Sequence, residues 1–229
     1  MTPLEVADEV ADAFAALVRD TLGQQPRFAC AVPGGSVATT VFPALAARAL
    51  PWAAVDVFLA DERFVEPTSP DANQRAVRDH LLAPMSVVRP AFHPMPTSGD
   101  PDVAARRAGE DLCDRTGTPP RLDLVLLGVG PDGHVASLFP GDNDWRERID
   151  WVIAVHAAPK APPTRLSLGL ATIVAARHVW FVAFGGEKAA VIDQARHDET
   201  SSLPAAVVAR RASGVRWFLD AAAQGGAGN

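Results

Sequence analysis

Asp132 and His134 are the residues of this chain whose types and spacing are best suited to acid–base chemistry. An imidazole titrates near neutral pH, so His134 can accept and return a proton, and a carboxylate two residues away can orient its ring. Both residues lie in a glycine-rich loop of segment 122–141, directly after the apolar run 122–127. Since ligands of open α/β sheets bind at the carboxyl ends of the strands, this pattern predicts a chemical site. The alternative is an exposed histidine beside an ordinary Asp turn.

A second pattern, Pro-Gly-Gly-Ser at 33–36, predicts an anion-binding turn. It follows the apolar run 27–32 and precedes a helical pattern, so free backbone N–H groups and a helix N-terminus would point toward a ligand. It matches neither the dinucleotide-binding nor the ATP-binding glycine motif, and an ordinary turn with Ser36 as the helix cap is the alternative. Two basic residues at other strand and helix boundaries could complete a phosphate cradle. The candidate phosphate-binding residues are Gly34, Gly35, Ser36, Arg165 and Lys188.

A third candidate region is the charged triplet Asp61, Glu62 and Arg63, which follows the apolar run 55–60. An arginine held by carboxylates can orient a substrate oxygen or stabilise developing negative charge. The alternative is a solvated loop. Asn73, further along the chain, either faces the same ligand or only helps to cap its helix.

Metal binding is a separate hypothesis, in which Asp61, Glu62, Asp132 and His134 converge on a cation. No spaced ligand motif such as His-Glu-x-x-His supports it, so neither a metal nor a cofactor is expected. The chain has two lysines, Lys160 and Lys188, among its 21 lysine and arginine residues, which hints at a specific role for each. The other histidines are interpreted as surface or packing residues: His80, His93, His156, His178 and His197.

The elements that must position these residues alternate along the chain. Helices are predicted over 3–23, 36–50, 69–82, 102–115 and 187–195, and strands over 27–32, 55–60, 91–95, 122–127, 151–155, 179–184 and 215–219. Segment 165–176 is expected to contain both a strand and a helix. Alternating strands and helices indicate a mainly parallel sheet covered on both faces, which is a three-layer, Rossmann-like α/β sandwich. Neither a repeat nor a linker divides the chain, so residues 1–229 are predicted to form a single domain with a frayed tail at 224–229.

Composition narrows the class of partner. The net charge of −6 argues against a nucleic-acid partner and leaves an anionic small molecule as the substrate if basic groups are concentrated locally. No apolar run reaches the roughly 20 residues of a membrane span, and the acidic N-terminus does not resemble a signal peptide. Two cysteines without a metal or redox spacing fit a reducing cytoplasm. A cytoplasmic monomer is expected, with a weak homodimer as the alternative.

Several segments together resemble the 6-phosphogluconolactonase family, which is similar in turn to the glucosamine-6-phosphate deaminases. The matching segments are spread in order over nearly the whole chain, and the longest of them is the most specific. They are PGGS, ADERFV followed by Asn73, LDLVLLGVGPDGHVASLFPG, PPTRLSL, GGEKA and VRWFLD. One departure is Ala72, where the family pattern has serine before the asparagine. The resemblance implies a fold of the sugar-phosphate-isomerase type.

The resemblance also implies an activity: hydrolysis of 6-phospho-D-glucono-1,5-lactone to 6-phospho-D-gluconate, the second step of the oxidative pentose phosphate pathway, by a carboxylic ester hydrolase. His134 would be the base that activates water, and Asp132 would orient it. Arg63 or loop amides would stabilise the oxyanion, and Asp61 would position Arg63 or a sugar hydroxyl. The cradle residues, with Asn73 as a further contact, would hold the phosphorylated substrate.

Two other functions stay open at this point. A glucosamine-6-phosphate deaminase, a ring-opening isomerase, would share the glycine turn and the Asp-Gly-His loop, but Asp-Glu-Arg and ASLFPG favour the lactonase subgroup. A non-catalytic sugar-phosphate sensor would keep the same cleft without the chemistry. Neither nucleic acid nor a membrane is an expected partner in any of the three cases.

Overall fold

A computed structural model of the protein describes residues 1–142 and 144–225. In chain order the strands are β1 (Phe28–Val32), β2 (Val55–Leu59), β3 (Asp61–Arg63), β4 (Ala91–His93), β5 (Leu124–Gly128), β6 (Val152–Val155), β7 (Arg165–Leu168), β8 (His178–Ala183) and β9 (Val215–Leu219). The α-helices are α1 (Pro3–Leu22), α2 (Gly35–Ala46), α3 (Asn73–Val77), α4 (Pro101–Thr116), α5 (Leu170–Ala175), α6 (Ala189–His197) and α7 (Pro204–Arg211). Short 3-10 turns occur at Trp52–Ala54, Asp144–Arg146 and Gly186–Lys188, and a π-helical turn at Arg78–Leu82 continues α3.

The main sheet has six strands in the order β4-β2-β1-β5-β8-β9, and every neighbouring pair in it is parallel. Strands β1 and β2 are buried along their whole length, as expected for apolar strands of a parallel sheet that helices cover on both faces. The predicted mainly parallel α/β sandwich is therefore confirmed. Segment 165–176 does contain both a strand and a helix, β7 and α5.

A second, three-stranded antiparallel sheet was not predicted. Its order is β3-β7-β6, and it contains the charged triplet as strand β3, so the alternative of a solvated loop is wrong. The chain changes sheets at Ala60, whose N–H donates to Val32 in the main sheet while its carbonyl accepts from Leu168 in the second. Polar residues can form this strand because their backbone groups are paired with β7.

Helix boundaries follow local capping groups. Helix α1 begins after Thr2, whose side chain accepts from the N–H of Glu5 while the Glu5 carboxylate accepts from the Thr2 N–H, which is a capping box. Helix α2 begins at Gly35 with Gly34 as its cap, so Ser36 is not the cap, and it ends at Ala46, a few residues before Pro51 and earlier than predicted.

The helix expected from position 69 begins only at Asn73, because residues 69–71 form a turn in which the Ala72 N–H donates to the carbonyl of Ser69. Helix α7 was not predicted. In the predicted frayed tail, Gln224 and Gly225 form a hydrogen-bonded turn, whereas 226–229 lie outside the described residues. Across residues 1–142 and 144–225, none of the helices has the length and apolar character needed to span a bilayer.

The carboxyl ends of the central parallel strands meet at one edge of the main sheet. Val32 at the end of β1 pairs with Leu59 at the end of β2, and Gly128 at the end of β5 pairs with Val182 near the end of β8. The glycine turn, the histidine loop and the turn before α6 therefore emerge side by side. The start of β3 adjoins the same edge because it continues from β2.

Candidate active site

A cleft of about 540 Å³ opens at this edge, between the main sheet and the antiparallel sheet. All the predicted site residues except Asp132 line it, and Asp132 reaches it through its hydrogen bond to His134. The predicted residues on the cleft wall are Gly34, Gly35, Ser36, Asp61, Arg63, Asn73, His134, Arg165 and Lys188. Residues that lie far apart in the sequence thus form one site.

The loop after β5 holds the histidine in a fixed place. The Gly130 N–H donates to the carbonyl of His134 and the Gly133 N–H to the carbonyl of Gly130, so the chain folds back tightly. Asp132 Oδ1 hydrogen-bonds to Nδ1 of His134, and the ring of Phe139 lies 4.8 Å from the imidazole centre. Since Nδ1 is occupied, Nε2 is the ring nitrogen that a ligand in the cleft can meet.

Burial and charge set the protonation of this pair. Burial is the largest influence on His134 and lowers its pKa below the ordinary value, although the hydrogen bond that its ring donates to Asp132 opposes this. For Asp132, burial is the largest influence and acts to raise the pKa, but the hydrogen bonds from His134 and the charges of His134 and Lys160 together lower it. The arrangement favours a neutral imidazole beside an ionised carboxylate, which is the state a general base requires.

Asp61 is tied to polar neighbours other than Arg63. Its Oδ2 accepts from the Ser137 hydroxyl at 2.7 Å, and its Oδ1 accepts from Nδ2 of Asn73 at 3.1 Å. The same amide nitrogen donates to the Asp61 backbone carbonyl at 2.8 Å. Among the described residues no hydrogen bond or ion pair joins Asp61 to Arg63, so of its two predicted roles the contact with a sugar hydroxyl is the one that stays a prediction.

Asn73 lines the cleft, but its amide serves Asp61 and does not cap α3. The asparagine also explains one glycine of the anion-binding turn. A Cβ atom on Gly34 would lie 1.8 Å from Oδ1 of Asn73, so only glycine leaves room for this amide. The Gly34 turn therefore packs closely against the Asn73 amide that donates to Asp61.

Two arginines lie side by side on neighbouring strands of the antiparallel sheet. Arg63 on β3 and Arg165 on β7 are register partners, and both line the cleft. Nη1 of Arg63 donates to the carbonyl of Asp71 at 2.8 Å, while its buried Nε has no hydrogen-bond partner. Arg63 is thus held by a backbone carbonyl, and not by carboxylates as expected.

Arg165 is a buried cation held only by neutral groups. It is 3% exposed, and its Nε and Nη2 donate to the carbonyls of Pro162, at 3.1 Å, and Lys160, at 3.0 Å. Burial lowers its pKa, the Arg63 charge acts in the same direction, and the nearby charge of Asp61 opposes both. Among the described residues no carboxylate forms an ion pair with it. A buried charge without a counter-ion is costly, so this site is prepared for an anionic ligand.

Lys188 completes the cationic wall from the turn before α6. Burial lowers its pKa, and in the part of the chain that the structure describes its ammonium group forms no ion pair. The first amides of α2 at Gly35 and Ser36 lie on the same cleft, where the helix N-terminus favours negative charge. Two arginines, a lysine and a helix start therefore surround a space suited to a phosphate group.

Glu62 performs a structural task that was not predicted for it. Its carboxylate is fully buried and accepts from the backbone N–H groups of Arg63, Asn73 and Gln74, each at 2.7 Å. It thereby caps α3, whose cap residue Ala72 offers no side-chain acceptor. Burial raises the pKa of Glu62 to about 7, against the effect of the three N–H donors.

The metal hypothesis is not supported by this geometry. The Glu62 carboxylate caps a helix, Asp61 accepts from a hydroxyl and an amide, and Asp132 binds the imidazole. Over residues 1–142 and 144–225, no group of three histidine, cysteine, aspartate or glutamate side chains is arranged to hold a metal ion. The four residues therefore do not converge as a ligand set.

Ser137 and Lys160 contribute to the site but were not predicted. Ser137 lies in the ASLFPG segment, where a serine among apolar residues gives little signal. Lys160 lies near Asp132, with Nζ at 3.8 Å from Oδ1. The scarcity of lysine was the one available signal, and both lysines do lie at this site. Of the other histidines, His93 packs on Phe58 and pairs with Asp56, as a packing residue would.

Comparisons with known proteins agree with the site. The family model described as glucosamine-6-phosphate isomerases/6-phosphogluconolactonase matches residues 1–217. The rat 6-phosphogluconolactonase is 36% identical over 97% of this chain and 90% of its own length. A crystal structure of a 6-phosphogluconolactonase from Shewanella baltica is 28% identical, with a TM-score of 0.84 over 95% of this chain and 94% of the other.

A solved monomeric glucosamine-6-phosphate deaminase has a TM-score of 0.80 over 98% of this chain and 97% of its own, but at 19% identity it shares the fold alone. The predicted sugar-phosphate-isomerase type of fold is confirmed by these likenesses. Taken with the match over residues 1–217, they show that this chain belongs to the glucosamine-6-phosphate isomerase and 6-phosphogluconolactonase family.

Proposed function

We propose that this chain hydrolyses 6-phospho-D-glucono-1,5-lactone to 6-phospho-D-gluconate, the second step of the oxidative pentose phosphate pathway. One observation carries the proposal: a histidine oriented by a carboxylate shares its cleft with a buried arginine that lacks a counter-ion. The first feature suits hydrolysis, and the second suits a phosphorylated substrate. The curated rat relative, a 6-phosphogluconolactonase, supports the same choice.

In this proposal the phosphate occupies the cationic wall. Arg165 and Lys188 supply charge, and the amides at Gly34, Gly35 and Ser36 donate hydrogen bonds. Holding the phosphate there places the lactone ring near His134, which lines the same cleft. Fixing the substrate in this way removes much of the entropic cost of the reaction.

The chemical step then needs water and one base. Nε2 of His134 accepts a proton from water as the water oxygen forms a bond to the lactone carbonyl carbon. The negative charge that develops on the carbonyl oxygen is stabilised by Arg63 or by backbone amides of the loop. When the intermediate collapses, the bond to the ring oxygen breaks and His134 returns its proton to that oxygen. Asp132 keeps the ring in the tautomer with a free Nε2 and stabilises the imidazolium.

Asp61 and Asn73 have supporting positions in this scheme. Asp61 faces the cleft with hydrogen bonds from Asn73 and Ser137 that keep its carboxylate in place. We assign Asp61 to a sugar hydroxyl, which can donate to a carboxylate that is already oriented. Asn73 acts through Asp61 and through its contact with the Gly34 turn.

The decisive experiment generates the lactone from glucose 6-phosphate with a dehydrogenase and follows its decay with and without the protein. We expect decay well above the spontaneous rate, and a fall in kcat of about 10²- to 10⁴-fold in His134→Ala, with KM largely kept. Release of ammonia from glucosamine 6-phosphate instead would identify a deaminase. Binding of the product without hydrolysis would identify a sensor.

We also propose that the enzyme works as a cytoplasmic monomer without a metal or cofactor. The mechanism above uses only side chains and water, so dialysis against EDTA should leave the rate unchanged. Light scattering during size-exclusion chromatography should give the mass of one 24.1 kDa chain, while a larger mass that falls on dilution would indicate a weak homodimer.

A further inference from the structure

Lys160 stands close to the proposed base without lining the cleft. Its ammonium nitrogen lies 3.8 Å from Oδ1 of Asp132, the same oxygen that binds Nδ1 of His134. The carboxylate oxygen is therefore shared between an imidazole and an ammonium group. Asp132 belongs to the loop after β5, whereas Lys160 belongs to a turn before β7, so the contact joins two separate parts of the chain.

The turn that carries Lys160 also holds the anion-binding arginine. The carbonyls of Lys160 and Pro162 accept from Arg165, and the Ala158 N–H donates to the carbonyl of Pro163, which closes the turn. The backbone of Lys160 is fixed by these contacts even though its side chain is 45% exposed. The ammonium group of Lys160 therefore approaches Asp132 from a backbone that is held in place.

We propose that Lys160 is a positioning residue of this site, whose ammonium group shares the Asp132 carboxylate with His134 and thereby holds the histidine in its unprotonated form. The inference rests on the proposed function. Competition for one carboxylate oxygen weakens the attraction of Asp132 for a proton on the imidazole. The positive charge of Lys160 also opposes a second positive charge nearby.

The charges around His134 act in opposite directions. The hydrogen bond and charge of Asp132 raise the pKa of the histidine, as does the charge of Asp61, while burial and the charge of Lys160 lower it. Other charged groups on the same cleft are Arg63, Arg165 and Lys188. Lys160 differs from these three because it touches the dyad's carboxylate and lies at the exposed rim, where the substrate phosphate is not held.

The test compares Lys160→Gln with Lys160→Arg, which keeps the charge. The rate rises with pH as His134 loses its proton, so Lys160→Gln should move the acid limb of kcat/KM to higher pH and leave the alkaline plateau largely unchanged. Because exposed ion pairs are weak, the loss on the acid side should be roughly two- to fivefold at low salt, and smaller in 0.5 M KCl. Lys160→Arg should resemble the wild type.

Two further measurements separate this role from general effects. Arg106→Gln removes an exposed charge on α4, away from the cleft, and should leave the pH profile as it is. Titration of the His134 ring by NMR requires no substrate, and Lys160→Gln should raise the midpoint. In an Asp132→Asn background the effect of Lys160→Gln should shrink, because the shared carboxylate is gone.

The outcomes keep the inference apart from the proposed function. If the wild type does not hydrolyse the lactone, the proposed function fails, while the NMR titration still decides the role of Lys160. If the wild type is active but Lys160→Gln keeps both the acid limb and the ring titration of the wild type, the inference is wrong. A loss that Lys160→Arg shares, or that is equal at every pH, would also overturn it.

Discussion

A Cβ atom placed on Gly130 would lie 2.0 Å from Nδ1 of His134 and 2.7 Å from Oδ1 of Asp132. The glycine backbone thus fills the space directly beside the dyad, and no larger residue fits without moving it. Gly130 is not in the left-handed region, so alanine can adopt its backbone conformation. The position requires glycine because of its neighbours.

Gly130→Ala should therefore damage catalysis more than folding. The added methyl group displaces the imidazole, and a shift of about 1 Å can cost about 100-fold in kcat. Steady-state kinetics and thermal unfolding measure the two effects. Gly109→Ala is the matched control, because a Cβ there meets only ordinary contacts at 3.5 Å or more and should leave kcat unchanged. Equal activity of the two variants would contradict the placement of the dyad.

Asp132→Asn should change the pH profile in a defined direction. The hydrogen bond and charge of Asp132 raise the pKa of His134, so their loss lowers it, and the acid limb of kcat/KM should move to lower pH. At the same time kcat should fall roughly 10- to 100-fold, because an amide no longer selects the tautomer with a free Nε2. A rate profile from pH 4 to 9 checks both. An acid limb that moves to higher pH would rule out this role for Asp132.

Arg165→Met should weaken substrate binding with little cost in stability. Removal of a buried cation that makes charge-assisted contacts with a ligand should raise KM roughly 30-fold or more. The empty protein should keep its Tm, since the removed charge has no counter-ion among the described residues. Arg165→Lys serves as the charge-preserving control.

The same variant allows a test without turnover. Saturating 6-phosphogluconate should stabilise the wild type by about 2.7 kcal/mol at 100 times its Kd, and the gain should largely disappear in Arg165→Met. Differential scanning calorimetry measures both. Equal protection of the two proteins would place the phosphate elsewhere.

Glu62→Gln should remove a pH-dependent contribution to the free energy of unfolding. Burial raises the folded pKa of Glu62 from 4.5 to about 7, so its protonated form is favoured in the folded state. The free energy of unfolding should accordingly fall as pH rises from about 4.5 to about 7, by up to about 3 kcal/mol, and Glu62→Gln should remove this slope. Urea denaturation at several pH values measures it, with the exposed Glu66→Gln as control. A wild-type slope that persists in Glu62→Gln would assign it to another group.

Much of the framework could be predicted from the sequence because it depends on local patterns. The apolar runs of the main sheet and the Pro3 start of α1 are such patterns, and both were confirmed. The family predicted from the ordered motifs was confirmed by the match over residues 1–217. The cleft follows from the parallel sheet, because strand ends that share an edge bring their loops together.

What could not be predicted depends on contacts between distant segments. Strand β3 is polar, and its extended form comes from pairing with β7, about a hundred residues later in the chain. The role of Glu62 depends on where α3 begins, and α3 begins where Glu62 can cap it. The contact between Lys160 and the Asp132 carboxylate likewise joins two loops, and no pattern in the sequence indicates that these loops lie close together.

The change of sheet at Ala60 bears on which substrates the cleft can take. His134, Lys188 and the Gly34 turn extend from the main sheet, whereas Arg63 and Arg165 are carried by the antiparallel one. Under the proposed assignment, both the phosphate and the lactone carbonyl contact groups from the two sheets. The way the chain joins the sheets therefore fixes the shape of the cleft, and substrate selection depends on this framework as well as on the side chains.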